Sequence, residues 1–251
     1  MLLENDKYIN SKELLDYNII HLYTKKPYRF DSKEPLEIQK EKLKELERFL
    51  NHKFDDIIRP NQTHSSNVRI ITKDNINNPL EETDAVITNL KNVALVTISA
   101  DCQNIIIYDK EKEVIANIHS GWKGTLNQIL SKTIELMIKE YGTNPNDLIA
   151  YISPCIQKCC FEVDEELANE FQNKFNYINN FISKGEIKDD KQKYFIDTVK
   201  INIEEMLKLG IQKNNIFTDN ICTKCESNKY HSYRVDKEYA GRNCCLVALR
   251  K

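Results

Sequence analysis

Two histidines and a cysteine lie where apolar runs of the chain meet polar turns, and side chains of these types bind transition metals. His64 lies in the segment RPNQTHSSN, Cys102 follows the apolar run VALVTIS closely, and His119 comes directly after the run VIANI. Imidazole and thiolate ligands suit the borderline softness of zinc, and three protein ligands leave a fourth position for water or substrate, as catalytic zinc sites require. Zinc held this way would lower the pKa of a bound water. We therefore predict that these residues bind one zinc ion, with copper as the alternative metal.

The spacing of the three residues is by itself a weak indication, because it matches no short zinc-binding motif. A cysteine after a buried strand is more often a small core residue. A histidine at the end of a strand is usually a hydrogen-bonding group. The ligand assignment therefore depends on the strands and helices that bring the residues together.

The segments around the three residues predict a series of short strands. Three unbroken apolar runs (93–98, 105–108 and 114–118) are typical of strands covered on both faces, at the middle of a sheet. Six further segments are expected to be strands: 68–72, 85–88, 148–152, 194–196, 216–219 and 244–249. Because the strands cluster in sequence and do not alternate regularly with helices, we predict an α+β fold with a mixed sheet.

Four helices are predicted from apolar periodicity and end signals. They cover 35–50, 125–141, about 164–175, and a segment that Asp197 caps and Gly210 ends. Ser32 is a candidate cap for the first helix, and Gly142 is a natural stop for the second.

Composition places few limits on the partners of the chain. Its 251 residues carry a formal net charge of −2, so no overall positive charge attracts nucleic acid or anionic lipid. The opening MLLENDKYIN has no signal-peptide pattern, and no run approaches the about 18 apolar residues of a membrane span. We expect a cytoplasmic protein that binds neither nucleic acid nor membrane; the sequence predicts no oligomeric state.

The eight cysteines are expected to be reduced in a cytoplasmic protein. Cys222 and Cys225 form the only C-x-x-C, and a structural zinc would need two further ligands. Cys244 and Cys245 are adjacent, and neighbouring residues on a strand point to opposite faces. We therefore predict that the thiols other than Cys102 form no second tetrahedral metal site.

Six segments resemble one known family in order and approximate spacing. They are QTHSSNV, TDAVIT, SADC, IANIHSGWKGT, SPCIQKCCFEV and SYRVDKEYAGR. The chain is thereby similar, over roughly residues 55–250, to the YfiH or multicopper-polyphenol-oxidase-like ("laccase-domain") family. The resemblance implies a single domain over residues 1–251, built as a mixed β-sheet sandwich with flanking helices. It also places the zinc ligands of the family on His64, Cys102 and His119.

The same resemblance implies an enzyme. Members of the family are purine nucleoside phosphorylases that act on adenosine, inosine, guanosine and S-methyl-5'-thioadenosine, and they also deaminate adenosine. Purine nucleosides and phosphate are then the expected small-molecule partners. Two departures concern the substrate pocket: HLYTKKPYRF stands where the family has a glycine pair, and Ser153 replaces a common glycine.

Four further residues have expected roles beside the metal. Asp101 precedes Cys102, so it could transfer protons near the metal or hold a ligating imidazole. Arg59, Arg234 and Arg242 are candidates for binding phosphate, because guanidinium groups match that anion. Trp122 either packs over the purine base or supports the turn that contains it.

Two other functions remain open at this stage. A copper-dependent polyphenol oxidase of the laccase type would need about ten histidine-rich ligand positions in H-x-H pairs, whereas this chain has five histidines and no H-x-H, which excludes a conventional laccase. A non-catalytic metal-binding module linked to cell-wall processes could keep the same three ligands for structure. Measured activity would separate that module from an enzyme.

Overall fold

The computed structural model describes residues 2–31 and 33–251, so the candidate cap Ser32 lies outside the described residues. Fifteen strands lie within these ranges. In chain order they are β1 (Leu2–Glu4), β2 (Tyr8–Ser11), β3 (Ile19–Thr24), β4 (Asp56–Ile58), β5 (Val68–Ile70), β6 (Ala85–Thr88), β7 (Val93–Ser99), β8 (Gln103–Asp109), β9 (Val114–Ser120), β10 (Leu148–Ile152), β11 (Glu162–Asp164), β12 (Ile182–Lys188), β13 (Lys191–Ile196), β14 (Ile216–Thr218) and β15 (Asn243–Leu249). Six α-helices accompany them: α1 (Leu36–Leu50), α2 (Trp122–Leu126), α3 (Ile129–Tyr141), α4 (Glu165–Lys174), α5 (Thr198–Lys208) and α6 (Tyr233–Asp236).

The strands form three sheets. The first sheet has the order β1-β2-β3-β15-β7-β4, the second has the order β14-β10-β8-β9-β6-β5, and the third has the order β11-β13-β12. Antiparallel pairs dominate, but β4 with β7, β5 with β6 and β10 with β14 are parallel. The sheets are therefore mixed, as the sequence predicts.

The first two sheets pack face to face. Leu95 and Val247 of the first sheet share one buried cluster with Ile106 and Ile149 of the second. Asn117 of β9 crosses this interface and donates to the backbone carbonyls of Leu95 and Cys245, both at 2.9 Å. Its buried amide is thus satisfied, which is the condition for a polar group inside a core.

Helices cover the outer faces of the two large sheets. The face of the first sheet packs against α1, where Leu46 is fully buried. The face of the second sheet packs against α3 and α5, through residues such as Ile134 and Met206. The resulting helix–sheet–sheet–helix sandwich confirms the predicted α+β class with flanking helices. None of the described helices is both long and apolar enough to cross a membrane.

The third sheet lies to one side of this sandwich and has a core of its own. Phe171 and Phe175 of α4 pack there with Phe181, Ile196 and neighbouring apolar residues. The third sheet and α4 lie within residues 162–196, in the segment that connects β10 to α5.

The helix predicted for 125–141 is interrupted. The structure has α2 up to Leu126 and α3 from Ile129, and Gln128 between them adopts a left-handed conformation with φ of 56°. The Gln128 side chain donates to the Glu205 carboxylate of α5 at 2.7 Å, so a contact with another helix accompanies the break. Gly142 ends α3 in the left-handed conformation, as predicted.

Candidate metal centre and active site

Cys102 lies on the connection between the two large sheets. Strand β7 belongs to the first sheet and β8 to the second, so the chain crosses between sheets at residues 100–102. The turn is tight, and Asp101 within it has a φ of 86°. In the β8–β9 register Asn104 pairs with His119. The thiol of Cys102 is therefore placed near the end of β9, where His119 lies.

His119 is oriented by a buried carboxylate. Its Nδ1 lies 2.8 Å from Oδ1 of Asp84, and its backbone amide donates to the Asp84 carbonyl at 2.7 Å. In the β6–β9 register Ala85 pairs with Ile118, which places the neighbouring Asp84 beside His119. Because Nδ1 faces the carboxylate, Nε2 is left as the donor atom for a metal, which is the usual arrangement of a ligating histidine.

His64 is held by the same carboxylate. It lies on a second crossing between the sheets, from β4 to β5, with a φ of 61°. Asp84 accepts backbone hydrogen bonds from Thr63, His64 and Ser65 at 3.1, 3.1 and 2.8 Å. The loop that carries His64 is therefore fixed to the residue that orients His119. Asp84 was not among the predicted site residues; its place in the segment TDAVIT, which resembles a family motif, is the sequence signal for its role.

The three predicted ligands converge. One ligand atom from each of His64, Cys102 and His119 lies within 4.8 Å of the other two, and Cys102 Sγ is 3.7 Å from His64 Nε2. Zinc bonds of about 2.3 Å to sulfur and about 2.0 Å to nitrogen place two tetrahedral ligands about 3.6 Å apart. The donor atoms therefore fit a single metal ion, and their chemistry suits zinc.

The charges around the site favour a thiolate on Cys102. Burial raises the pKa of the Cys102 thiol, but the two histidines outweigh burial and lower it to about 6. Burial lowers the pKa of His119, but Cys102 and Asp84 outweigh burial and raise it to about 9. The pKa of Asp84 falls to about 2, because hydrogen bonds from His119 and Ser65 outweigh the effect of burial. A pKa of about 6 favours the thiolate of Cys102, the form that binds metal, whereas a pKa of about 9 favours a protonated His119, which must release its proton when it binds metal.

Gly121 has little free space around its Cα. A Cβ atom at this position would lie 2.7 Å from His64 Cδ2 and 3.0 Å from Cys102 Sγ. His64 and Cys102 can come this close to the backbone only because residue 121, the first glycine of SGWKG, has no Cβ.

A cavity of about 760 Å³ opens from the three ligands. All four other residues predicted for the site line it: Arg59, Asp101, Arg234 and Arg242. Trp122, Phe161 and Tyr233 add aromatic surface to its walls. This volume is within the range of small-molecule sites.

Asp101 faces this cavity with both carboxylate oxygens hydrogen-bonded. Oδ1 accepts from the Thr223 hydroxyl at 2.7 Å, and Oδ2 accepts from the backbone amide of Arg234 at 2.7 Å. The carboxylate that orients the ligating imidazole is Asp84, so the role as an imidazole partner belongs to that residue. A catalytic role for Asp101 stays a prediction.

The three arginines line the cavity from separate parts of the chain, and each donates a hydrogen bond to another residue. Arg59 donates to Gln39 at 2.9 Å, and Arg234 donates to the carbonyl of Glu162 at 3.0 Å. Arg242 donates to the carbonyl of Gly241 at 3.1 Å. Their guanidinium planes are thereby fixed around the cavity; their assignment to phosphate stays a prediction.

The structure brings four of the remaining thiols together, although Cys222 and Cys225 were expected to lack two further ligands. Ligand atoms of Cys159, Cys160, Cys222 and Cys225 all lie within 4.8 Å of one another. The two extra sulfur atoms come from the turn after β10 and not from Cys244 or Cys245, which are buried on β15. Adjacent side chains point to opposite faces on a strand, but Cys159 and Cys160 lie in a turn, so both thiols can reach the cluster.

Comparison with known proteins assigns the chain to a family. The model of the family described as multi-copper polyphenol oxidoreductase laccase matches residues 28–250. The chain belongs to this family. The family is the one that the six sequence segments resemble, and its description refers to copper although the chain has only five histidines.

Two relatives in this family are named for reactions of purine nucleosides. A protein of Clostridium acetobutylicum named purine nucleoside phosphorylase is 38% identical over 182 residues, which is 72% of each chain. A protein of an unknown prokaryotic organism named adenosine deaminase is 28% identical over 188 residues, or 72% of this chain and 70% of that protein.

The fold has solved counterparts. The crystal structure of the Bacillus licheniformis hypothetical protein YfiH has a TM-score of 0.87, covers 98% of both chains and is 22% identical. The predicted sandwich fold is therefore confirmed.

Proposed function

We propose that the protein is a zinc-dependent purine nucleoside phosphorylase that also deaminates adenosine. The observation that carries the proposal is the convergence of His64, Cys102 and His119 at the base of a cavity lined by arginines and aromatic side chains. The names of the family relatives support the choice of purine nucleosides as substrates.

In this proposal the three ligands hold zinc, which supplies Lewis acidity at the base of the cavity. Asp84 keeps His119 in the tautomer that presents Nε2, and it keeps the His64 loop in place. The Cys102 thiolate supplies the only formal negative charge among the three ligands. A site with this ligand set keeps net positive charge and favours substrate groups that become negative during reaction.

The cavity walls offer aromatic surface for the purine base and cationic groups for phosphate. Phe161 and Trp122 provide aromatic surface against which a purine base can stack. Arg59, Arg234 and Arg242 provide cationic forks that match phosphate oxygens. We assign phosphate to these arginines because phosphorolysis needs the anion close to the ribose.

Asp101 is the candidate for proton transfer in this site. Thr223 and the backbone of Arg234 hold its carboxylate in the cavity wall, beside Cys102 in sequence. A carboxylate fixed in this way can accept or return a proton without reorienting, which is the requirement for a general acid or base.

The test is the substitution Cys102→Ala. We expect the variant to lose one equivalent of metal and both activities, while circular dichroism stays unchanged because the strands beneath Cys102 provide the burial. Metal content is measured by mass spectrometry, deamination by ammonia release, and phosphorolysis by free adenine formed from adenosine and phosphate. Cys244→Ala is the matched control, since Cys244 is a buried thiol on β15. Undiminished turnover after loss of this metal equivalent would refute the mechanism.

The same assays separate the other candidate functions. Oxygen uptake with phenols after copper loading, without turnover of nucleosides, would favour a polyphenol oxidase. A protein that binds zinc but turns over none of these substrates would favour a non-catalytic module.

A further inference from the structure

Four cysteines that the proposed reaction does not use meet at the ends of two parallel strands. Cys159 and Cys160 lie in the turn that follows β10, and Cys222 and Cys225 lie in the turn that follows β14. Strands β10 and β14 are parallel neighbours, so both turns leave the same end of the second sheet. Residues more than 60 positions apart in the sequence are thereby brought together.

The spacing of the four sulfur atoms is that of a tetrahedral metal site. Cys225 Sγ lies 3.5 Å from Cys160 Sγ and 3.8 Å from Cys159 Sγ, and ligand atoms of all four residues lie within 4.8 Å of one another. Four sulfur ligands at about 2.3 Å from a zinc ion would lie about 3.8 Å apart. Disulfide-bonded sulfur atoms would be only about 2.05 Å apart, and a disulfide would join two cysteines of the four.

We propose that Cys159, Cys160, Cys222 and Cys225 bind a second zinc ion in a closed, structural site of four thiolates. All four coordination positions come from the protein, which is typical of structural zinc and leaves no position for substrate. This site is separate from the His64–Cys102–His119 centre, which shares none of its ligands.

The backbone around the sulfur atoms is arranged to support thiolate ligands. A parallel bridge joins Cys155 to Cys222, with the Cys155 amide donating to Ile221 and the Thr223 amide donating to Cys155. The backbone amides of Gln157 and Cys225 donate hydrogen bonds to the Cys222 sulfur. Amide donors to sulfur are the partners that a metal-bound thiolate needs.

The position of the cluster gives the second zinc ion a function. Thr223 lies between Cys222 and Cys225 and donates to Asp101, while Arg234 donates to the carbonyl of Cys160. The backbone amide of Arg234 holds the other oxygen of Asp101. A metal that joins the two turns would therefore help to fix the cavity wall around Asp101.

The experiment isolates the second site by working in Cys102→Ala, from which the first site is removed. The protein is reduced, loaded anaerobically with zinc and freed of excess metal, and its zinc content is measured by mass spectrometry. We expect one equivalent of zinc, with X-ray absorption reporting four sulfur ligands at about 2.3 Å. No bound zinc, or a shell that contains nitrogen or oxygen ligands, would overturn the proposal.

A second pair of variants assigns the ligands. Adding Cys225→Ser, at an exposed position, should remove the remaining equivalent, whereas adding Cys155→Ala should retain it. Cys155 is the matched control because it lies on the same turn as Cys159 and is not a member of the cluster. Retention of zinc in Cys102→Ala/Cys225→Ser would also overturn the assignment. These readouts do not depend on catalysis, so they stand even if the proposed function fails.

Discussion

Asp84 holds the two histidines of the candidate metal centre in place. One of its carboxylate oxygens contacts both the imidazole of His119 and the backbone amide of His64, and the other accepts from the Ser65 hydroxyl at 2.7 Å. Its side chain is fully buried. A buried carboxylate with this many donors is stabilised in its charged form, in line with a pKa of about 2.

Asp84→Asn should therefore weaken metal binding without removing a ligand. An amide group presents an NH2 donor toward other donors, so either the His64 loop or the His119 ring loses its partner. We expect zinc affinity to fall by about 10- to 100-fold, measured by competition with a chromophoric chelator. Asp109→Asn is the control, because Asp109 is a buried carboxylate that accepts the amides of Glu111 and Lys112 in a distant turn. Equal losses of affinity in both variants would contradict the role of Asp84.

Arg242 offers a residue-level test of phosphate binding. Arg242→Ala should reduce phosphorolysis by about tenfold or more, since a charge-assisted hydrogen bond contributes about 1.5–3 kcal/mol. Deamination should fall less, because that reaction uses no phosphate. The two rates are followed by free adenine and by ammonia, with Arg69→Ala as the control at an exposed position on β5. Parallel losses in the two reactions would remove the phosphate assignment from Arg242.

Among the elements, the connection from β9 into α2 is the most constrained part of the centre. Gly121→Ala keeps an ordinary backbone conformation, since φ at this position is −73°. Its new Cβ would nevertheless collide with His64 and Cys102. We expect the variant to lose activity by about tenfold or more, because small displacements at a reacting centre are costly.

Gly124→Ala is the matched control for this prediction. Its Cβ would meet the Cγ2 atom of Ile129 at 3.3 Å, and alanine favours the helix by about 0.5–1 kcal/mol relative to glycine. Metal content and turnover of both variants check the prediction. Full activity in Gly121→Ala would contradict the proposed steric role.

Elements with a repeating apolar pattern could be predicted from the sequence, and others could not. The expected helix at 35–50 is α1, and the expected helix after Asp197 is α5, whose first turn Asp197 caps through the amide of Lys200 at 2.8 Å. Six strands were not predicted: β1, β2, β3, β4, β11 and β12. Strand β3 is fully buried yet contains His21 and Thr24, and β12 is largely exposed and charged, so neither shows the pattern of a half-buried strand.

At the scale of the molecule, long-range strand pairing decides how much the sequence could predict about the two clusters of candidate metal ligands. The His64, Cys102 and His119 assignment came from ligand chemistry and from family motifs, and the structure brings the three together. The four-cysteine cluster was missed because β10 and β14 pair across more than 60 residues of intervening chain. No local spacing records such a pairing.

The whole chain is predicted to unfold as a single domain over residues 1–251. The polar and apolar contacts between the two large sheets favour one cooperative transition, which calorimetry would report as equal calorimetric and van't Hoff enthalpies. Two separate transitions would contradict the single-domain prediction.

Zinc at 100 times its dissociation constant should stabilise the folded state by about 2.7 kcal/mol per site, a rise in melting temperature on the order of 5–10 °C.

The separate core of the third sheet and α4 has a consequence for how such enzymes diverge. Phe161 and Val163 pack into that core and also line the cavity, whereas the three proposed zinc ligands lie on the two large sheets and their connections. Mutations that accumulate in residues 161–196 can therefore reshape the surface that we propose meets the base, while the ligand geometry is inherited unchanged. Substrate preference and reaction chemistry can evolve at different rates in one chain, and lineages that share His64, Cys102 and His119 can come to favour different nucleosides.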